Sequence, residues 1–241
     1  MNHYSISRTG DNEINEDFVQ AFEIENRYVF ILADGLGGHG FGEVASKEAA
    51  DCVKKAFESH RDVQLRMLMS LAFREANNRL IQLQENSGET SSYKTTLVVL
   101  AVENDGFIWG HIGDSRLYHF EDNILLERSM DHSVPQMLAN AGKISEKQIR
   151  HHEDRSKLLK ALGDSRETFS PYIGKKAPIG KKAAFLLCSD GFWEHIDERY
   201  MQKLLKKSSN AEEWIKLMTA VVERNGRKYK MDNYSAIGVM L

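Results

Sequence analysis

Two helical segments follow one another along this chain with no strand between them. In the first, after Gly42, the residues Ala45, Ala49, Cys52 or Val53 and Ala56 recur three to four apart. In the second, within 62–86, Leu65, Met69, Ala72, Ala76, Leu80 and Leu83 repeat the pattern. Apolar runs with strand character flank the pair: 28–33 before it, then 95–102, 107–112 and 116–120 in succession. Two more, 184–188 and 236–241, come late, with a helical segment holding Trp214, Met218, Val221 and Val222 between them. Helices back to back and strands back to back exclude a regular βαβ alternation. The order predicts an α+β fold of antiparallel sheets with helices packed outside.

That order also decides the glycine cluster. Gly35-Leu36-Gly37-Gly38-His39-Gly40 matches the spacing G-x-G-x-x-G. A dinucleotide site needs a parallel strand soon after the first helix, with an acid at its end for the ribose. Here the next strand is expected only near residue 94, and Asp34 would set a carboxylate beside a pyrophosphate. A Walker loop fails as well, because Phe41 and Gly42 follow Gly40.

Asp34-Gly35 has an echo in AAFLLCSDG (183–191), another apolar run ending in Asp-Gly. Strands that deliver a carboxylate beside a glycine carbonyl suit a hard cation. Asp114 follows the run 107–112, Asp232 precedes the last run, and Asn15-Glu16-Asp17 leads into a further apolar stretch. An all-oxygen donor set selects Mg²⁺ or Mn²⁺ over zinc. The plain alternative is that such acids are solvated turn formers, which is weaker for four of them than for one.

Bulk properties narrow the field. A net charge of −3 gives no global pull toward nucleic acid or an anionic membrane. The start MNHYSISRTG lacks the apolar core of a signal peptide, and no apolar run is long enough to span a bilayer. Cys52 and Cys188 read as small core residues rather than a disulfide framework, so a reduced, cytoplasmic setting is expected. With three prolines, no Ser/Gly-rich linker and no repeat, one domain over 1–241 is expected.

The ordered set NED (15–17), ADGLGGHGFGEVAS (33–46), KTTLVVLAV (94–102), GDSRLY (113–118), MDHS (130–133), LLCSDG (186–191) and DN (232–233) resembles the metal-dependent type-2C Ser/Thr protein phosphatases, in their bacterial single-domain branch. The resemblance implies a four-layer α/β/β/α sandwich with two central antiparallel sheets and two Mn²⁺ or Mg²⁺ ions in an edge cleft. By motif position Asp34 bridges the ions, the Gly35 carbonyl faces the second, Asp190 and Asp232 complete the first, and Asp17 reaches the second through water. Asp114 with Asp190 would form a third, weaker site. Two divalent ions that share a water make a hydroxide at neutral pH, which attacks phosphorus in line. No covalent route is offered, since no arginine loop follows Cys188 and there is no Gly-x-Ser-x-Gly elbow.

The chain departs from the family's pattern in three places. Asn12 stands where an arginine usually holds the substrate phosphate, and Arg8 is the nearby arginine able to compensate. Leu36 replaces the usual Met, or the His of eukaryotic members, leaving His39 either to act near the leaving group or to bond within its own loop. Lys94 replaces a glycine. The segment 142–163 matches the family's flap and is rich in Lys and Arg, either a positive lid that steers substrates or a solvated face. Expected partners are a phosphoprotein substrate and an opposing Ser/Thr kinase, with a monomeric enzyme. A non-catalytic phosphoprotein- or kinase-binding regulator, or a hydrolase of small phosphoesters, are the alternatives.

Overall fold

In the computed structural model, which describes residues 1–37, 41–89, 92–165 and 167–241, the strands fall into two antiparallel sheets. One sheet has the order β1-β10-β9-β6-β7, from Asn2–Arg8, Tyr234–Met240, Ala184–Cys188, Arg116–Glu121 and Ile124–Arg128. The other runs β2-β3-β4-β5-β8, from Asp17–Ile24, Arg27–Asp34, Leu97–Glu103, Gly106–Ile112 and Tyr172–Ile173.

The central strands are apolar on both faces because both faces are covered. In β3, Phe30 and Leu32 point to the opposing sheet, where they meet Leu117, Phe185, Leu187, Ile237 and Val239. Val29, Ile31 and Ala33 point the other way, onto α1 (Gly42–Ser59) and α2 (Leu65–Ser87). The first sheet does the same: Ala184, Leu186 and Cys188 of β9 pack on α6 (Glu198–Leu205) and α7 (Ala211–Gly226) through Met201, Trp214 and Met218. Strict alternation between two buried faces gives the layer order α/β/β/α. Shorter helices α3 (Val134–Asn140), α4 (Glu146–Ile149) and α5 (Asp190–Trp193) lie in the connections.

The antiparallel register matters most at one end of the sandwich. β9 ends beside the start of β6 and the start of β10, since Cys188 pairs with both Arg116 and Ala236. Across the cleft, β2 starts where β3 ends, with Asp17 opposite Asp34. The residues just beyond these ends are Asp114, Asp190 and Asp232.

Phe185 is fully buried between the sheets. Phe185→Ala is expected to cost about 3–5 kcal/mol of stability, by lost burial and the cavity left behind. Urea unfolding reads this, and a loss under 1 kcal/mol would mean that the two sheets are not closely packed there.

Candidate metal centre

The register gathers four of the carboxylates expected from sequence at one cavity of about 590 Å³, lined by Asp34, Gly35, Asp114, Asp190 and Asp232, with Asn12, Glu16, Gly37, Ser156 and Leu158 around them. Asp17 lies behind it, buried, and links the sheets: Ser189 Oγ donates to its Oδ2 at 2.7 Å. Its Oδ1 is buried and meets no hydrogen-bond partner among the described residues.

Each acid is held by its strand end. The Asp34 backbone is clamped to the start of β4, its N–H donating to Thr96 Oγ1 at 3.0 Å and its carbonyl accepting from Thr95 Oγ1 at 2.9 Å. Asp114 follows Gly113, whose φ of 100° suits glycine; its carbonyl accepts from Trp193 Nε1 at 3.0 Å. Asp190 opens α5, with Gly191 N–H on its Oδ1 at 2.6 Å. Asp232 accepts from the Asn233 N–H at 2.8 Å and from Asn12 Nδ2 at 2.7 Å. The buried Asn233 side chain ties down the loop that carries Asn12, receiving Glu16 N–H at 2.8 Å and donating to the carbonyls of Thr9 and Ile14.

Burial and mutual repulsion raise the proton affinity of Asp17, Asp34, Asp114 and Asp190. Burial, then Asp17 and the other acids around it, hold Asp34 well above the ordinary carboxylate range. Burial and Asp190 do the same to Asp114. Burial pushes Asp17 up to about 7, against the help of Ser189, and pushes Asp190, beside Asp232, up to about 6. Among the described residues no three such side chains form a closed ligand set, and Asp190 and Asp232 each accept a local N–H. The donor chemistry nonetheless fits a hard divalent cation. Crowded carboxylates, a glycine carbonyl and one orphaned buried oxygen are groups that a cation would satisfy and that no cationic side chain here does.

Gly37 and Gly42 lie against an acid of the chain's own. Glu16 accepts a backbone hydrogen bond from Gly42 at the start of α1, a helix with no side-chain N-cap. A Cβ on Gly37 would lie 1.8 Å from Glu16 Oε2, and one on Gly42 2.5 Å from Oε1. The helix N-terminus that a pyrophosphate would need is thus filled by Glu16. His39 lies outside the described residues. Arg8 is exposed in β1, donates to the Ser7 carbonyl at 3.1 Å, and is not among the cavity-lining residues.

A sequence model of the protein phosphatase 2C family matches residues 6–234. The chain belongs to this family. Membership makes it a protein-serine/threonine phosphatase, and the two antiparallel sheets with helices outside are the family's fold. It is 28% identical over 205 residues to the serine/threonine phosphatase stp of Listeria monocytogenes, covering 83% of this chain and 80% of that protein. It superposes on the serine/threonine phosphatase Stp1 of Staphylococcus aureus with a TM-score of 0.89 and 26% identity, over 100% of this chain and 95% of that one. A catalytic domain of the phosphatase PstP in complex with two manganese ions has the same fold, with TM-score 0.83, 24% identity, and 99% and 97% coverage.

Two polar residues of the cleft were missed in the sequence. Glu16 is adjacent to Asp17, and strand alternation, which turns neighbours to opposite faces, would have assigned it a separate place. Arg155, beside Asp190 and Asp232 in the adjoining cavity, pairs with Glu194 at 3.0 Å and left no local signal within a basic segment.

A carboxyl whose pKa is higher in the folded state stabilises the fold while protonated and ceases to as pH rises through that value. In chelator, the contribution of Asp17 should therefore be present below about 4 and lost by about 7. Thermal melts in EDTA should show wild type losing Tm across that interval relative to Asp17→Asn, and parallel curves would contradict the assignment.

Proposed function

We propose that the cleft hydrolyses phosphoserine and phosphothreonine in proteins with two divalent cations, Mn²⁺ or Mg²⁺. The observation that supports this reading is the meeting of Asp34, Asp114, Asp190 and Asp232 from separate strand ends at one cavity, with Asp17 behind them. In this reading Asp34, the Gly35 carbonyl, Asp190 and Asp232 hold the pair, with Asp17 supporting the second ion and Asp114 with Asp190 a third, weaker site. When bound, the ions supply a water activated for direct attack on phosphorus and neutralise the phosphoryl oxygens. The PstP catalytic domain with two manganese ions supports the metal count.

The chain's own groups do the rest. Thr95 and Thr96 fix the end of β3, so the Asp34 carboxylate and the Gly35 carbonyl stay at the cleft floor. Asn12 holds Asp232 by a neutral hydrogen bond and brings no positive charge to the phosphate. That charge is available from Arg155, whose guanidinium lines the cavity adjoining Asp190 and Asp232. Exchange of Glu194 for a phosphoryl group would leave Arg155 with a charge-assisted pair of the same kind. The ester P–O bond breaks as water adds, and the seryl or threonyl oxygen leaves with a proton. An opposing Ser/Thr kinase, a signalling role, a cytoplasmic site and a monomeric state belong to the same proposal. No helix among the described residues is long and apolar enough to cross a membrane.

The test is hydrolysis of p-nitrophenyl phosphate by chelator-stripped protein as Mn²⁺ or Mg²⁺ is restored, with Asp190→Ala as control. Activity that requires the ion and vanishes in the variant is expected. A folded protein inactive with every divalent ion would favour the non-catalytic, phosphoprotein-binding alternative. Arg155→Ala should raise KM for a phosphopeptide roughly tenfold with a smaller change in kcat, because the lost contact is made in ground and transition states alike. An unchanged KM would remove Arg155 from the phosphate site.

A further inference from the structure

The cleft does not end at its carboxylates. Past Asp190 and Asp232 it opens into a cavity of about 420 Å³, which shares Arg150, His151, Glu194, His195 and Tyr229 with a second of about 610 Å³. Together they form a trough bounded by α4 and the chain after it, the turn between α5 and α6, and the chain that follows α7.

Its acids already have partners within the chain. Glu194 takes Arg155 at 3.0 Å, Glu198 takes Arg150 at 3.1 Å, and Asp197 accepts the Tyr200 N–H at 2.9 Å as the N-cap of α6. The bases Lys147, Arg199, Lys228 and Lys230, which line the same cavities, form no ion pair among the described residues. Tyr229 lies exposed among them, its ring stacked on His195 at 6.1 Å. Beyond Asp190 and Asp232, which belong to the cleft, the trough is lined by more bases than acids, a local excess in a chain of net charge −3.

We propose that this trough receives the acidic flank of a phosphopeptide, whose Asp and Glu side chains pair with Lys147, Arg199, Lys228 and Lys230 while the phosphorylated residue enters the cleft. The inference rests on the phosphatase reading above and names the substrate class for that site. A peptide fits better than a nucleic acid. A nucleic acid carries charge at every residue and would set phosphates against Asp197 and Glu198, whereas a peptide places its carboxylates only opposite the bases.

The experiment compares phosphothreonine peptides of one length with acidic, neutral or basic flanks, on wild type and on the triple variant Lys147→Glu/Arg199→Glu/Lys228→Glu. None of the three residues belongs to the catalytic cleft, so p-nitrophenyl phosphate turnover should be unchanged, which also reports folding. At low salt kcat/KM should favour acidic over neutral flanks about tenfold, and the triple variant should abolish or invert that preference. Equal kcat/KM for acidic and neutral peptides, or a preference that survives the triple change, overturns the trough. Anisotropy of the labelled peptides separates this from the phosphatase reading, since it needs no turnover. Selective binding of the acidic peptide without hydrolysis keeps the trough and removes the catalysis. An oligonucleotide of equal charge that competes as well as the acidic peptide overturns the peptide assignment.

Discussion

Carboxylates brought together repel, and this structure holds five of them, Asp17, Asp34, Asp114, Asp190 and Asp232, at one end of two sheets. At an effective dielectric near 20, two such charges 4 Å apart oppose each other by roughly 4 kcal/mol, and Asp17, Asp34, Asp114 and Asp190 are further penalised by lost hydration. Local hydrogen bonds, from Ser189 to Asp17, from Gly191 to Asp190 and from Asn12 to Asp232, offset only part of that. What holds the acids is the remainder of the sandwich: strand register fixes their backbones, and three apolar layers hold the register. The acids were therefore placed by long-range pairing, and a one-residue slip in β9 or β3 would turn Asp190 or Asp34 out of the cleft.

The Asp114 side of the cleft has a support of its own. Arg116, two residues on, is buried and makes a bidentate pair with Asp131, Nε to Oδ1 at 2.8 Å and Nη2 to Oδ2 at 2.6 Å. Its guanidinium also lies 3.4 Å from the centre of the Trp193 ring. Trp193 in turn donates to the Asp114 carbonyl, so one cation, one carboxylate and one indole lock the β5–β6 turn to α5. A buried pair of this kind adds little net stability compared with apolar packing, and its worth here is the geometry it imposes.

Much of this was legible in the chain. The back-to-back helices and consecutive strands carried the α+β class, and the runs that end in Asp34 and Cys188 marked the cleft edge, because doubly covered strands are apolar throughout. The first two strands were harder to delimit. β1 has a single fully buried residue, Ile6, and β2 is mostly half-exposed, so neither carries a long apolar run. The fit of Arg155 to the cleft was not legible either. It depends on a flap segment anchored at distant points, through Val134 N–H on the Lys157 carbonyl and mutual backbone bonds between Leu162 and Thr95. Such pairings leave no periodic trace.

The glycine cluster shows how a short pattern and its physics part company. Glycines near a helix start usually signal room for an anion, and here there is indeed an anion, the carboxylate of Glu16 on the Gly42 amide. Closing the loop with a side chain of the protein's own does two things that a bound nucleotide would not. It sets Gly37 and the first residue of α1, Gly42, against the residue that precedes Asp17, and it adds another acid to the rim of the cleft. Asn12, bonded to Asp232, brings no positive charge to a phosphate. In the function proposed above that charge falls to Arg155 of the flap segment, which lines the adjoining cavity, whereas Lys228 and Lys230 lie on the chain that Met231 bonds to Asp11 of the β1–β2 loop.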